Sequence, residues 1–270
     1  MTDLREMARR IRCDIVRMVH QAGSGHPGAA LSAVEIVTVL YFRVLNIDPA
    51  EPNRRDRDRF ILSKGHACPV YYAALARRGF FPVEELATLR RTGSRLQGHP
   101  DMNKTPGVDM TSGSLGAGLS CGVGMALAAR MDGLPVRIYV VMGDGETQEG
   151  AVWEAAMAAA HYRLDNLVAV IDNNRLQLDG RTCDVMDISP IAGKWTSFGW
   201  NVLEVDGHDI DALAEAFESA AETKGAPTVV IANTVKGKGV SFMEGVCDWH
   251  GRWPTEEETR LALAELGETM

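Results

Sequence analysis

The chain alternates between two kinds of hydrophobic pattern, one with helical spacing and one with short continuous apolar runs. Residues 3–20 carry apolar side chains at helical spacing, with a basic face between them. Continuous apolar runs such as 136–142 predict buried strands, because a strand covered on both faces shows no polar alternation. Helices that alternate with such strands predict a parallel sheet with crossover connections.

The same patterns locate the individual elements. We expect helices over residues 3–20, 31–45, 69–78, 115–130, 150–161, 210–223 and 255–267. We expect strands over residues 60–63, 136–142, 167–171, 202–205 and 228–232. Residues 91–114 are predicted to form a long loop and residues 172–190 an irregular segment. Because no repeat or linker divides the sequence, we expect residues 1–270 to form a single α/β domain, a central parallel sheet with helices on both faces.

Composition excludes several functional classes. The net charge of −8 over 270 residues, without a clustered basic face, argues against nucleic acid or an anionic membrane surface as a partner. No apolar stretch reaches the length of a membrane span, and the N-terminus lacks the apolar segment of a signal peptide. The five cysteines are scattered and form no CxxC pair. We therefore expect a cytoplasmic protein without a disulfide framework or a zinc site.

One predicted strand ends at Gly143-Asp144-Gly145, and the next one leads into Asn173-Asn174. The 27 residues between Gly145 and Asn173 are enough for one helix and one strand, so the two strand ends should be neighbours. Asp144 and Asn174 would then offer a carboxylate and an amide oxygen to one ion. Such hard oxygen ligands suit Mg²⁺ or Ca²⁺. Taken alone, each motif is also a common turn sequence.

The pair GDG and NN at this spacing resembles the motif that binds thiamine diphosphate through a metal ion. Five further segments occur in the order found in the amino-terminal third of transketolases. They are SGHPG around His26, SKGHA around His66, GHP around His99, TSGSLGAGLS from Thr111 to Ser120, and VKGKGVSFMEGVCDWHG ending next to His250. The chain therefore resembles the transketolase family over nearly its whole length, which implies the thiamine diphosphate-binding fold.

The resemblance implies a role for each matching residue. Implied metal ligands are Asp144, Asn174 and the main-chain oxygen of Leu176. Implied cofactor-binding residues are His66 and Gly143 at the diphosphate, and Gly113, Ser114 and Leu115 at the aminopyrimidine. Further implied cofactor-binding residues nearby are Asp144, Gly145, Asn174, Lys236 and His250. Glu149 would link cofactor sites across a dimer. Implied catalytic residues are His26, His99 and His250, which would line the substrate channel. His20, His161 and His208 match no motif and are expected to be structural.

The family moves a two-carbon ketol unit from a ketose to an aldose, and the cofactor supplies the electron sink. Such steps move protons on and off substrate hydroxyls. Imidazoles suit this task because they titrate near neutral pH and can both donate and accept hydrogen bonds.

The family also has a second α/β domain, whose glutamate binds the aminopyrimidine, and a third, carboxyl-terminal domain. This sequence ends at Met270, shortly after the motifs of the first domain. The resemblance therefore implies the separate N-terminal subunit of a split transketolase. The partner would be a C-terminal subunit with the pyrimidine-binding and C-terminal domains, in a heterotetramer with two copies of each chain. Sugar phosphates are the implied substrates, but differences at Ala29 and Leu178 leave the donor and acceptor open.

Other functions remain as alternatives. The α subunit of a 2-oxo acid dehydrogenase also pairs GDG with a later asparagine, but it lacks the histidine motifs around His26, His66 and His99. A dinucleotide-binding dehydrogenase is weaker, because GAGLSCG from Gly116 to Gly122 spaces its glycines wrongly. A non-catalytic assembly partner with the same fold is the alternative from outside the enzymes.

Overall fold

The computed structural model describes residues 3–178 and 180–270. Its strands, in chain order, are β1 (Arg59–Leu62), β2 (Ile138–Gly143), β3 (Leu167–Asn173), β4 (Leu176–Gln177), β5 (Gly180–Arg181), β6 (Asn201–Asp206) and β7 (Thr228–Asn233). Five of them form one sheet in the order β1-β2-β3-β7-β6, and every neighbouring pair is parallel. The short β4 and β5 form a separate antiparallel hairpin.

Helices connect these strands. They are α1 (Leu4–Ala22), α2 (Pro27–Ser32), α3 (Val34–Val39), α4 (Cys68–Arg78), α5 (Ala117–Met131), α6 (Gly150–His161), α7 (Thr182–Val185), α8 (Ile191–Ser197), α9 (Ile210–Glu222) and α10 (Glu256–Glu265). A π-helical turn covers Leu40–Val44, and 3₁₀ turns cover Gly65–Ala67, Val83–Thr88, Gly145–Gln148 and Cys247–His250. Within the described residues, no helix combines the length and the apolar character needed to cross a membrane.

Both faces of the sheet are covered, as the sequence predicts. Successive residues of β2 point to opposite faces: Val141 belongs to the core cluster that includes residues of α1, α4 and α9, whereas Val140 belongs to the cluster that includes residues of α5, α6 and α8. Both side chains are fully buried. Burial on both faces is the physical reason that the strand sequences are continuously apolar. The predicted α/β fold with a central parallel sheet is therefore confirmed.

The single helix predicted over residues 31–45 is wrong. The segment contains α2, α3 and a π-helical turn, with a break at Ala33, whose ψ of 7° is not helical. The Ser32 hydroxyl has one proton, which it can donate to the carbonyl of Ala29 at 3.2 Å or to the carboxylate of Asp172 in β3. A side chain that bonds to the backbone competes with the helical hydrogen bonds, and here it also ties the break to the sheet.

The segment 172–190, predicted to be irregular, holds more regular structure than expected. It contains the end of β3, the β4–β5 hairpin and the short helix α7, and the unpredicted α8 follows it. These elements are short and lack a clear apolar period, so a pattern search cannot detect them. The long loop predicted over 91–114 contains no helix or strand. Several other element ends differ from the predictions by one or two residues.

Candidate cofactor and substrate site

The site begins where two neighbouring strands end. β2 and β3 pair in register, with Gly143 opposite Asp172, so the residues after them emerge side by side at the carboxyl edge of the sheet. The Asp144 amide donates to the carbonyl of Asp172 at 3.2 Å. Ligands of open parallel sheets bind at this edge. The predicted adjacency of the GDG and NN strand ends is thus present in the structure.

A cavity of about 270 Å³ lies at this edge. Its lining includes ten of the residues that the sequence singled out: His66, Leu115, Gly143, Asp144, Gly145, Glu149, Asn174, Leu176, Lys236 and His250. A larger, more open space of about 1110 Å³ lies along the loop before His99, between polar side chains such as Arg91 and Arg95. The smaller cavity is the better site candidate, because it joins charged groups from several strand ends.

Asp144 is held in place by the backbone around it. One carboxylate oxygen accepts from the Gly145 amide at 2.8 Å, and the other accepts from the Arg175 amide at 2.7 Å and the Thr182 hydroxyl at 3.0 Å. Burial raises the pKa of this carboxyl group. A buried carboxylate with a raised pKa favours a cation beside it, because a cation offsets the cost of desolvating the charge.

Asn174 lines the same cavity and has a fixed amide orientation. Its Nδ2 lies 3.4 Å from the Asp172 carboxylate and 3.5 Å from the Ser32 hydroxyl, while its Oδ1 accepts from the Leu176 amide at 3.1 Å. Asp144, Asn174 and the carbonyl of Leu176 therefore present only oxygen donors to the cavity. In the described part of the chain, no three His, Cys, Asp or Glu side chains are grouped as a metal site. The donor chemistry fits Mg²⁺ or Ca²⁺ with a second anionic ligand, and does not fit zinc.

Behind these residues lies an ion pair that the sequence did not reveal. The Lys64 ammonium donates to the Asp172 carboxylate and, at 2.9 Å, to the Ala29 carbonyl. Asp172 also accepts from the hydroxyl groups of Ser32 and Thr234. Burial alone would raise the pKa of Asp172, but the Lys64 charge and these hydrogen bonds hold it below its ordinary value. The sequence signal that could have revealed this pair is Asp172, a charged residue inside an apolar strand, because a buried charge requires a partner.

Glu146 is a second buried carboxylate that no sequence motif indicated. It accepts from the Ser63 hydroxyl, from the Gly116 amide at 2.8 Å and from the Gly143 amide at 3.1 Å. These three donors belong to the ends of β1 and β2 and to the loop before α5. Burial raises the pKa of Glu146. One side chain thereby fixes three loops around the cavity.

Lys236 enters the cavity from the loop after β7. Its side chain is almost fully buried, and burial lowers its pKa to about 8. The Nζ atom lies 3.0 Å from Nδ1 of His250 and 3.4 Å from the carbonyl oxygen of Leu176. A cation in a buried cavity beside oxygen donors suits a polyanionic ligand such as a diphosphate.

Three of the predicted histidines form one cluster. The ring centroids of His26 and His66 are 5.1 Å apart, and those of His26 and His250 are 5.4 Å apart. Burial and the neighbouring positive charges lower the pKa of His66 to about 2 and those of His26 and His250 to about 4. The three rings are therefore neutral at pH 7, and each can donate at one nitrogen and accept at the other.

Arg90 determines which nitrogen of His26 carries the proton. Its guanidinium donates to the Ser24 hydroxyl and lies 3.5 Å from Nδ1 of His26. Because arginine has only donors, a proton on Nδ1 would face another donor, so neutral His26 carries its proton on Nε2. Arg90 also has a φ of +59°, which is rare for a residue with a side chain and is often associated with functional sites. No sequence motif identified this residue.

The remaining predicted residues lie at the edge of the site. His99 and Gly113 are neighbours, since a Cβ atom on Gly113 would lie 3.4 Å from the His99 ring. Burial and the Arg90 charge lower the pKa of His99. His26, His99, Gly113 and Ser114 do not line the 270 Å³ cavity, although His26 contacts two histidines that do.

Comparisons with known proteins agree with this geometry. The family model described as "Transketolase, thiamine diphosphate binding domain" matches residues 4–269. The chain is 48% identical over 264 residues to the 6-deoxy-6-sulfo-D-fructose transketolase subunit of a Clostridium species, covering 98% of this chain and 96% of that protein. It is 45% identical to an apulose-4-phosphate transketolase subunit of Phocaeicola vulgatus, covering 94% of this chain and 90% of that protein.

A solved structure gives the same result for the fold. Transketolase from Leishmania mexicana superimposes with a TM-score of 0.93 at 33% identity. The alignment covers all of this chain but only 42% of that one, so the chain spans less than half the length of this full transketolase. The family match extends over nearly the whole chain and includes every motif around the cavity. The chain belongs to the transketolase family, as its thiamine diphosphate-binding domain.

Proposed function

We propose that this chain is the cofactor-binding subunit of a two-chain transketolase, which transfers a two-carbon ketol unit from a ketose to an aldose. The observation that carries the proposal is the single cavity in which oxygen donors, a buried lysine and neutral histidines meet. The oxygen donors suit a metal ion and its diphosphate, while the histidines suit proton movement on a sugar.

We further propose that residues 1–270 form one domain and act in the reducing cytoplasm. All five cysteines are free, which supports such a compartment.

Asp144, Asn174 and the Leu176 carbonyl would hold Mg²⁺ or Ca²⁺. The diphosphate would be contacted by His66, Gly143, Gly145, Lys236 and His250. The aminopyrimidine would be contacted by Gly113, Ser114 and Leu115. Glu149 would contact the second cofactor site of the assembly. Apart from its chain neighbours, the nearest described atom to a Cβ on Gly143 would be Cδ of Lys64 at 3.9 Å, so there is room for a ligand beside Gly143. When bound, thiamine diphosphate supplies the electron sink for cleavage of a carbon–carbon bond.

The histidines of this chain would handle the protons of the sugar. With Arg90 at Nδ1, His26 presents a donor at Nε2, which can hydrogen-bond to a substrate hydroxyl or carbonyl oxygen. His250 has its Nδ1 beside Lys236, so its Nε2 is the nitrogen available to a substrate. His99, at the outer edge, would contact the donor ketose without contributing to cofactor binding.

A partner chain would complete the active site. Two similar proteins are themselves named transketolase subunits, and this chain matches less than half of a full transketolase. We propose a C-terminal partner with the pyrimidine-binding and C-terminal domains, in a heterotetramer of two copies of each chain. The substrates would be ketoses and aldoses that carry a terminal anion, as sugar phosphates do. The names of the two relatives, a sulfo-sugar and a sugar phosphate enzyme, support this class.

The alternative of a 2-oxo acid dehydrogenase subunit shares the pairing of GDG with a later asparagine, but two observations disfavour it. The histidine cluster of His26, His66 and His250 is present, and the family match is to transketolase. A non-catalytic assembly role is disfavoured by the intact set of polar groups in the cavity.

Calorimetry of the chain co-purified with its partner, titrated with thiamine diphosphate in the presence and absence of Mg²⁺, tests the proposal. We expect binding that requires the metal, and its loss in Asp144→Ala, because the ion and the diphosphate lose their shared ligand. His99→Ala should bind the cofactor normally but transfer the ketol unit poorly. Asp211→Ala, at an exposed position on α9, is the matched control. Equal binding by Asp144→Ala and the wild type would refute the metal assignment.

A further inference from the structure

His208 lies between β6 and α9, outside the cavity, and both of its ring nitrogens are hydrogen-bonded. Nε2 accepts from the backbone amide of Val235 at 2.8 Å, and Nδ1 lies 2.9 Å from a carboxylate oxygen of Glu35. A nitrogen that accepts cannot carry a proton, and a carboxylate requires a donor. The ring is therefore the neutral form with its proton on Nδ1.

Glu35 is fixed in turn by Arg12. The two side chains form a buried ion pair at 2.6 Å, and Nε of Arg12 donates to the carbonyl of Lys238 at 3.0 Å. A Cβ atom on Gly239 would lie 2.7 Å from that same Nε, so the backbone passes directly over the guanidinium. We call the group formed by Arg12, Glu35 and His208 the clamp. The clamp thus holds the segment 235–239 at both of its ends.

The segment held by the clamp carries Lys236 into the cavity. Between the two anchor points, the Gly237 amide donates to the carbonyl of Gly28 at 3.0 Å. A Cβ atom on Gly28 would lie 3.0 Å from Cγ of Lys236, so the lysine stem packs closely on that backbone. The position of the Lys236 ammonium therefore depends on the backbone positions that the clamp determines.

We propose that His208 is a positioning residue for Lys236, acting through the Val235 amide. The inference rests on the proposed function, in which Lys236 contacts the diphosphate. Without the Nε2 acceptor, the Val235 N–H group would lose its hydrogen-bond partner. The anchor at residue 235 would then be lost, while the Arg12 anchor at residue 238 would remain.

Two substitutions separate the acceptor role from simple packing. Glutamine places a side-chain oxygen near the position of Nε2, so His208→Gln keeps an acceptor for Val235. Asparagine reaches only to the position of Nδ1, so His208→Asn keeps the contact with Glu35 and loses the acceptor. His161→Asn, at an exposed position on α6, is the matched control.

The first measurement is amide hydrogen exchange at Val235 in the full chain, compared with Val230 inside β7. We expect protection of Val235 to fall at least tenfold in His208→Asn and to remain in His208→Gln. Val230 should change little. Unchanged protection of Val235 in folded His208→Asn would overturn the inference. His208→Gln tests it even if the asparagine variant does not fold, because lost protection of Val235 in this variant, which keeps the acceptor, also contradicts it.

The second measurement is the affinity of the assembled complex for thiamine diphosphate with Mg²⁺. We expect His208→Asn to bind about tenfold more weakly and His208→Gln to bind like the wild type. Equal affinity of both variants and the wild type would overturn the link to Lys236. If the wild type itself bound no cofactor, the proposed function would fail, while the exchange data would still decide the role of His208 at Val235.

Discussion

Lys64 and Asp172 form an ion pair that is buried directly behind the oxygen donors of the candidate metal site. The two residues are 108 positions apart in the sequence; Asp172 lies within β3, and Lys64 is the second residue after β1. Asp172 also fixes the amide of Asn174. The pair therefore connects the stability of the sheet with the orientation of a proposed ligand.

Lys64→Met should destabilise the chain strongly, because Asp172 would keep a buried negative charge without its cation. Loss of one partner of a buried ion pair costs about 3–5 kcal/mol. Urea denaturation at pH 7 measures the free energy of unfolding. Arg55→Met is the control, since Arg55 and Asp132 form an exposed pair that should contribute less than about 1 kcal/mol. A similar, small effect of both substitutions would contradict the assigned role of the buried pair.

The free energy of unfolding should fall as the pH drops from about 6.5 to 5. The pKa of His66 is lowered to about 2 and that of His26 to about 4, mainly by burial. Below pH 6.5 the unfolded chain thus binds protons that the folded chain does not. Each such histidine lowers the free energy of unfolding by up to about 1.4 kcal/mol for each unit by which the pH falls. Urea denaturation at pH 7, 6 and 5 should show that the free energy of unfolding depends less on pH in His66→Asn than in the wild type. The control His161→Asn should match the wild type. An identical dependence in His66→Asn would be inconsistent with a neutral, buried His66.

Arg90→Met should raise the pKa of His26, because a permanent positive charge next to Nδ1 is removed. Burial would still hold the value below that of an exposed histidine, and Arg90→Lys, which keeps a charge, should give a smaller rise. NMR titration of labelled histidines measures the change directly. In the assembled enzyme, the acid limb of the pH–rate profile should move to higher pH in the methionine variant. A pKa of His26 that did not respond to either substitution would show that Arg90 does not control its proton.

Glu146→Gln should loosen the three loops around the cavity. A carboxylate can accept from Ser63, Gly116 and Gly143 at once, whereas an amide places an NH₂ group against one of these donors. We expect a loss of about 1–3 kcal/mol in the free energy of unfolding and weaker binding of thiamine diphosphate. Thermal denaturation and calorimetry measure the two effects. Glu154→Gln, at an exposed position on α6, should change neither. If Glu146→Gln proved as stable as this control, the assigned role would be refuted.

Several features of the site were predictable from the sequence because they depend on residues close together along the chain. Asp144 follows its strand directly, and the next strand in the chain leads to Asn174. Successive strands of a parallel sheet are commonly neighbours, so their carboxyl ends meet. The fold class was predictable for a similar reason. A strand that is buried on both faces of the sheet has a continuous apolar sequence, and this pattern is local.

The tertiary structure alone decided which distant residues became partners. Lys64 meets Asp172, Arg90 meets His26, and Glu35 meets His208 only because the strand order and the helix packing bring them together. No local period encodes such pairs, because each depends on the three-dimensional path of the chain between its members. The break at Ala33 has the same cause: Ser32 bonds to a strand that is far away in the sequence. The sequence by itself thus determined the strand-end motif, and packing determined the charged network that holds it.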